Sequence, residues 1–310
     1  MENLAPIRIP TISAFHRLWH LPKPAHPLIS VIDYADIDHT LIDPAQPVVL
    51  DCYSLTIKRD LGVKLVYGQQ SVDFDEGVLF CMAPQQVLRV EQEPANQTGR
   101  TGWILLIHPD FLWNAPLATT IKRYDFFHYA MHEALFLSEK EEALAVGLIQ
   151  SIQREYHANI DAFSQRIILS QLETLLHYAD RFYQRQFLTR KSTNHKLLAR
   201  VEALLEDYFR DPDLLGQGLP SVKGLADQLH VSASYLSGLL KTLTGQNMQQ
   251  HIQNKVIEKA KEKLSTTDLS VGEIAYALGF EHPQSLSKLF KAKTNLSPLA
   301  FRASFNWRCL

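Results

Sequence analysis

"EIAYALGFEHPQSLSKLFKAKTNLSPLAFR" (residues 273–302) decides the fold of this chain, because "GLADQLHVSASYLSGLLKTLTG" (224–245) already carries its pattern. Leu225, Ala226, Leu229 and Val231 stand 49 residues before Ile274, Ala275, Leu278 and Phe280. Beyond the turn the offset is 50: Leu236, Leu239, Lys241 and Thr244 match Leu286, Leu289, Lys291 and Thr294. A structural unit is therefore repeated, with one extra residue between the two helices of the later copy.

Local chemistry defines each copy. In the second, Ser270 and Glu273 have capping-box spacing, with Leu269 and Ile274 placed for a hydrophobic staple. Gly279 suits the left-handed turn that ends the first helix, and Pro283 suits the first position of the next. Leu286, Leu289 and Phe290 then face inward, leaving Gln284, Ser287, Lys288 and Lys291 outward. In the first copy Ser221 and Ser232 are the expected caps, and His230 stands where the turn glycine would be. Ser234, Ser237, Gly238 and Lys241 point outward. A helix, a tight turn and a second helix with a polar face is the arrangement that places a recognition helix in a major groove. The units run over 221–245 and 270–295, with recognition helices at 233–243 and 283–293. The small side chains of the first suit backbone and phosphate approach, so the second should carry more sequence information. Between them, "NMQQHIQNKVIEKAKEKL" (247–264) repeats Met248, Ile252, Val256, Ala260 and Leu264 every fourth residue, as one helix of ~27 Å would. Adjacent major-groove turns lie ~34 Å apart, so this spacer has the right order of length.

From about His195 to Phe305 the chain resembles the DNA-binding domain of the AraC/XylS transcription regulators, in which a long helix joins two helix-turn-helix units. The resemblance rests on "IAYALGF", "SLSKLFK" and "TNLSPLAFR". Three positions depart from the family pattern: Leu286 replaces an aromatic, Asn295 a glycine and Phe301 a tyrosine. Leu and Phe keep the core apolar, and Asn tolerates the left-handed conformation. The resemblance implies DNA contact at Ser234, Ser237, Gly238, Gln284, Ser287 and Lys288; Lys241, Pro283 and Lys291 complete the expected set. It also implies a cupin-like N-terminal domain for sensing or dimerisation.

Charge follows the same division. Residues 1–189 hold 15 Lys and Arg against 22 Asp and Glu, a balance of −7; residues 190–310 hold 16 against 11, a balance of +5. A polyanion is expected to meet the back of the chain. In front, "HPLISVIDY", "PVVLDCYSLTIK", "VKLVYG", "GVLFCMA", "QQVLRVE" and "GWILLIH" read as short strands between turn residues, predicting a sandwich or barrel. Ser138 and Glu141 form a second capping-box pattern, followed by Leu144, Leu148 and Ile152. Over 161–188, Ile168, Leu172, Leu175, Ala179 and Phe182 form a heptad-like stripe. Two readings of it stand: packing on the domain's own sheet, or a homodimer seam at Ile168, Leu172, Leu175 and Ala179. The expected organisation is α+β and multidomain: a strand-rich cupin-like barrel or sandwich at 1–137, a helical dimerisation segment at 138–188, a linker at 189–194 and an all-α DNA-binding domain at 195–310.

Cys52, Cys81 and Cys309 are odd in number and lack CxxC spacing, which predicts reduced thiols and a cytoplasmic protein. No run approaches the ~18 apolar residues of a membrane span. His128, His132 and Glu133 have helical metal-ligand spacing but lack the HExxH order, and no metal or other cofactor is expected. Lys255, Lys259 and Lys263 alternate with Glu258 and Glu262, which favours a charge-balanced face over a phosphate row. Trp19, Trp103, Trp113, Tyr34 and Tyr53 read as core or as cavity lining. Nucleotide-loop and nucleophile-elbow motifs do not occur. The expected function is sequence-specific transcription regulation through double-stranded DNA by a homodimer, under a small-molecule effector, without enzymatic activity. The alternative is a cupin-type enzyme or small-molecule-binding protein whose helical tail makes protein contacts.

Overall fold

Apolar runs between residues 29 and 107 are too short for helices and rich in β-branched side chains, and they fold as strands. The computed structural model describes residues 6–38, 41, 46–59, 66–67, 70–71, 77–88, 101–130, 133–158, 161, 163–189 and 191–304. The chain divides into two units, Met1–Thr189 and Arg190–Leu310.

The first unit contains β1 (Ile7–Ile9), α1 (Ile12–Leu18), β2 (Ile29–Asp33), β3 (Val48–Leu50), β4 (Tyr53–Arg59), β5 (Val66–Tyr67), β6 (Gln70–Ser71), β7 (Val78–Met82), β8 (Val87–Leu88) and β9 (Thr101–Ile107). They are followed by α2 (Leu117–Thr120), β10 (Leu135–Phe136), α3 (Glu139–His157) and α4 (Ser164–Thr189). Five strands form an antiparallel sheet in the order β10-β7-β4-β9-β2. In its centre Leu55 pairs with Cys81 and Leu105, and Ile57 with Leu79 and Trp103. The first five residues of β4 are all buried although they alternate apolar and polar, and the two hydroxyls on its second face, Ser54 and Thr56, lie 3.3 Å apart and bond each other. A second sheet, β1-β3-β8, has β1 parallel to β3, and β5 pairs with β6. The readings at 60–65, 68 and 89–91 lie outside the described residues.

Among the described residues these sheets are open, where a closed barrel was one expectation. The edges of the five-stranded sheet end on helix side chains instead of on further strands. At β2, Val31 N–H donates to the Tyr156 hydroxyl at 2.7 Å, and that hydroxyl lies 3.3 Å from the Val31 carbonyl. At β10, Phe136 N–H donates to Gln186 Oε1 at 2.9 Å, while Gln186 Nε2 donates to the Ala134 carbonyl at 3.2 Å. Arg185 adds bonds to the Phe136 carbonyl and to Glu141. Helices α3 and α4 thereby satisfy backbone groups that an exposed edge would leave for another chain.

The Ser138–Glu141 cap starts α3 as expected, with Glu141 Oε2 3.0 Å from the Ser138 N–H. Its fully buried line is Ala145, Ile149, Ile152 and Tyr156, and the anticipated Leu144 and Leu148 are half-buried beside it. On α4 the stripe is consumed by the unit itself: Ile168, Leu172, Leu175 and Ala179 are 2%, 0%, 1% and 1% exposed. Of the two readings of this stripe, burial favours packing on the unit's own α3 and sheet over a homodimer seam. The outward face of α4 carries Arg166, Ser170, Glu173, His177, Arg181 and Gln184.

The second unit is helical: α5 (Lys191–Arg210), α6 (Pro212–Gly216), α7 (Val222–Leu229), α8 (Ala233–Thr244), α9 (Met248–Thr266), α10 (Val271–Ala277), α11 (Pro283–Thr294) and α12 (Pro298–Ala303). Helix α5 starts at Lys191, inside the stretch read as a linker, and stops before Asp211, whose side chain caps α6. The core runs along α9, where Met248, Ile252, Val256, Ala260 and Leu264 are at most 2% exposed.

Candidate nucleic-acid interface

The two helical hairpins are alike bond by bond. Val231 N–H returns to the Ala226 carbonyl at 3.1 Å, and 49 residues later Phe280 N–H returns to the Ala275 carbonyl at 3.0 Å. Each bond closes the first helix of its unit over a left-handed residue, His230 with φ 57° and Gly279 with φ 84°. Glycine is required at 279 for a second reason. A Cβ there would lie 2.8 Å from the carbonyl of Gly218, in the turn that follows α6.

The caps repeat as well. Ser221 accepts from Gly224 N–H and Ser232 from Tyr235 N–H in the first unit, and Ser270 and Glu273 form a complete capping box in the second. Thr244 and Thr294 each bond the carbonyl four residues back at 2.8 Å, and Gly245 and Asn295 follow them with φ of 75° and 59°. Asn295 therefore does the work of the glycine it replaces. Asn247 caps α9 and Ser297 caps α12, again 50 residues apart, so the repeat continues one turn beyond the hairpins. Phe301 packs on Phe290 edge-to-face at 5.3 Å, and Arg302 donates to the Leu264 carbonyl in the last turn of α9 and to the Leu269 carbonyl beyond it.

This scaffold sets the outward faces. On α8, Tyr235, Leu236, Leu239 and Leu240 are buried, leaving Ser234, Ser237, Gly238 and Lys241 on one side. On α11, Leu286 and Phe290 are buried, Leu289 is half-buried, and Gln284, Ser287, Lys288 and Lys291 lie outward. Both sets follow the i, i+3, i+4, i+7 spacing of one helix face, and they correspond at an offset of 50. Gln284, Lys288 and Lys291 are exposed, whereas Ser234, Ser237 and Gly238 are half-buried and only Lys241 of the first set is exposed. Pro283 is half-buried at the start of α11, as its missing N–H allows.

Two lysines of the α9 row, Lys255 and Lys259, belong to the scaffold. Lys255 Nζ and Lys259 Nζ lie 2.7 Å and 2.9 Å from the two carboxylate oxygens of Glu206 on α5, and they also pair with Glu258 and Glu262. Hydrogen bonds from these lysines hold the Glu206 carboxyl down at about 2. Sequence spacing pointed to Glu258 and Glu262 but missed Glu206, which sits 49 residues before Lys255 and has no periodic relation to it.

The remaining candidates fall in the first unit. Tyr34, Tyr53 and Trp19 belong to its core, the last at 4.2 Å from Phe15, while Trp113 is 65% exposed. Cys52 and Cys81 are buried thiols; burial and the neighbouring Asp51 push Cys52 up to about 12. Cys309 and His132 lie outside the described residues. Among the described residues no three His, Cys, Asp or Glu side chains gather as metal ligands, and no helix is long and apolar enough to cross a membrane.

Residues 225–304 match a family model described as a helix-turn-helix domain. The uncharacterized HTH-type transcriptional regulator YfiF of Bacillus subtilis (strain 168) is 33% identical over 142 residues, which cover 46% of this chain and 42% of YfiF. The HTH-type transcriptional activator RhaS of Escherichia coli O1:K1 / APEC is 32% identical over 128 residues, covering 39% and 44% respectively. Among solved structures, the C-terminal domain of the two-component response regulator yesN from Fusobacterium nucleatum is 29% identical with a TM-score of 0.29, covering 33% of this chain and 93% of that one. The chain thus spans less than half the length of these curated relatives.

Proposed function

The second unit carries an AraC-type helix-turn-helix domain, and on that premise we propose that the whole chain is a sequence-specific, DNA-binding transcription regulator of that type. The observation that carries the reading is the pair of matching outward faces on α8 and α11, fixed by one continuous helix of 19 residues. At 1.5 Å per residue α9 spans ~28 Å, which with its flanking turns suits two recognition helices entering successive major grooves. Lys241 and Lys291 grip phosphate at equivalent positions. Gln284 and Lys288 reach base edges, where Gln pairs with adenine and Lys with guanine. Ser234, Ser237 and Gly238 offer little to a base edge, so the site read by α8 is the less specific half.

The first unit acts as the sensing and self-association module, in a cupin-like arrangement of strands backed by a helical hairpin. Its support is the antiparallel sheet with the acidic balance that keeps it off DNA. Selection of bound sites from random duplex DNA with the intact chain tests the proposal. Two conserved boxes about one helical turn apart are expected, the box under α11 being the more informative. With Lys288→Ala one position of that box should lose its preference, at a cost of ~1–3 kcal/mol against the preferred base. Recovery of no motif, or an unchanged motif with the variant, sinks respectively the function or the assignment of Lys288.

A further inference from the structure

The first unit holds a cleft of about 290 Å³ that the DNA-binding reading does not use. At ~30 Å³ per water-sized group, it has room for about ten non-hydrogen atoms. It opens where the loop into β2, the turn after β9, the last turn of α3 and the first turns of α4 meet. Leu28, Phe111 and Ile168 give it apolar walls. Phe111 is held there by an edge-to-face contact with His26 at 5.5 Å and by Gln165 Nε2, which donates to its carbonyl at 3.0 Å.

The polar groups lining the cleft are few and their roles are fixed. His26 Nδ1 accepts the Leu28 N–H at 3.1 Å, and burial lowers the pKa of the ring, so the neutral ring carries its proton on Nε2. Asp161 Oδ1 accepts from the Phe163 and Ser164 N–H groups at 2.7 and 3.0 Å, bonds that hold its carboxyl ionised below the usual range. Asp161 and Gln165 are exposed at the rim of the cleft and His26 is half-buried; the Asp161 Oδ2, the His26 Nε2–H and Gln165 Oε1 have no protein partner among the described residues. The cleft therefore offers two acceptors and one donor beside an apolar surface, with one fixed negative charge.

We propose that this cleft is a binding site for a small, uncharged molecule with an apolar body and hydroxyl groups. A hydroxyl both donates and accepts, so it can take the place of water on the exposed Asp161 and Gln165 acceptors and on the half-buried His26 donor, which an apolar molecule cannot. Acids are disfavoured by the Asp161 charge. The occupant is gripped by the first two turns of α4, the helix whose last residue, Thr189, ends the first unit. The proposal concerns the first unit alone and does not rest on DNA binding.

The test is a ligand-observed NMR titration of the intact chain, without DNA, using 4-hydroxybenzyl alcohol and, as the matched acid, 4-hydroxybenzoate. The alcohol should bind saturably and at least about tenfold more tightly than the acid, the scale of one charge-assisted hydrogen bond. Asp161→Asn keeps a good helix cap but removes the charge, so it should weaken the alcohol and bring the acid to similar affinity. His26→Phe keeps the ring against Phe111 while removing the donor, and should weaken the alcohol without admitting the acid. Each variant is compared at unchanged circular dichroism; if either is unfolded, the discrimination by the native chain and the remaining variant decide. Equal binding of the two probes, no saturable binding of the alcohol, or discrimination that survives Asp161→Asn overturns the proposal.

Discussion

Gly279 and Gly245 both hold left-handed backbone, yet only Gly279 faces a neighbour. Around Gly245 an added Cβ meets nothing within 4 Å, so Gly245→Ala should cost only the conformational penalty, about 1 kcal/mol. Gly279→Ala adds collision with the Gly218 backbone, raising the cost to about 2–4 kcal/mol. Urea denaturation of the two variants followed at the second unit measures the difference, and equal losses would remove close approach as the reason for glycine. His230 and Asn295 show that the same backbone region accepts other residues when a hydrogen-bonded turn imposes it. This is why the turn positions were legible in the sequence even where glycine was missing. The contact that makes Gly279 irreplaceable was not legible, since it depends on a loop 61 residues earlier in the chain.

At the scale of elements, the α5–α9 contact and the α3–α4 hairpin respond differently to perturbation. Glu206 is held at about 2, below the ordinary 4.5 of an unfolded glutamate, so its pairing stabilises fully above that ordinary value and is lost as pH falls from there toward 2. Between pH 5 and 3 the native chain should therefore lose more stability in its second unit than Glu206→Gln does, and parallel thermal melts at each pH would contradict this. On α4, Leu172→Asp with Leu175→Asp places two carboxylates in a core that was 0–1% exposed. Several kcal/mol are lost, and the first unit should melt as a unit. A variant with native circular dichroism and altered sedimentation would instead restore the dimer-seam reading. The apolar stripe announced burial from sequence but not its partner, because a side chain's spacing records that it is covered and not by what. Polar Gln186 and Tyr156 beside such stripes were the overlooked clue, each spent on a strand edge.

For the whole molecule, the division into an acidic front and a basic back was visible in composition, as was the helical repeat in spacing. Strand pairing was less visible: β1 lies parallel to β3, and β4 sits between β7 and β9, joining segments that local pattern cannot connect. Binding of the intact chain to its selected site should weaken linearly on a log–log plot against salt, and Lys241→Ala with Lys291→Ala should reduce the slope by about 2. An unchanged slope would take these lysines off phosphate. The edge caps have a consequence for how the chain is made. Every strand of the five-stranded sheet has been synthesised by Phe136, but Gln186, which closes β10, emerges 50 residues later. At roughly 5–20 residues per second, a nascent sheet waits some seconds with that edge uncovered. During that interval neighbouring chains on one messenger offer each other the pairing that α4 will later provide. Denser ribosome loading should therefore raise the loss to misassembly at this edge, a loss that the stability of the finished fold does not report.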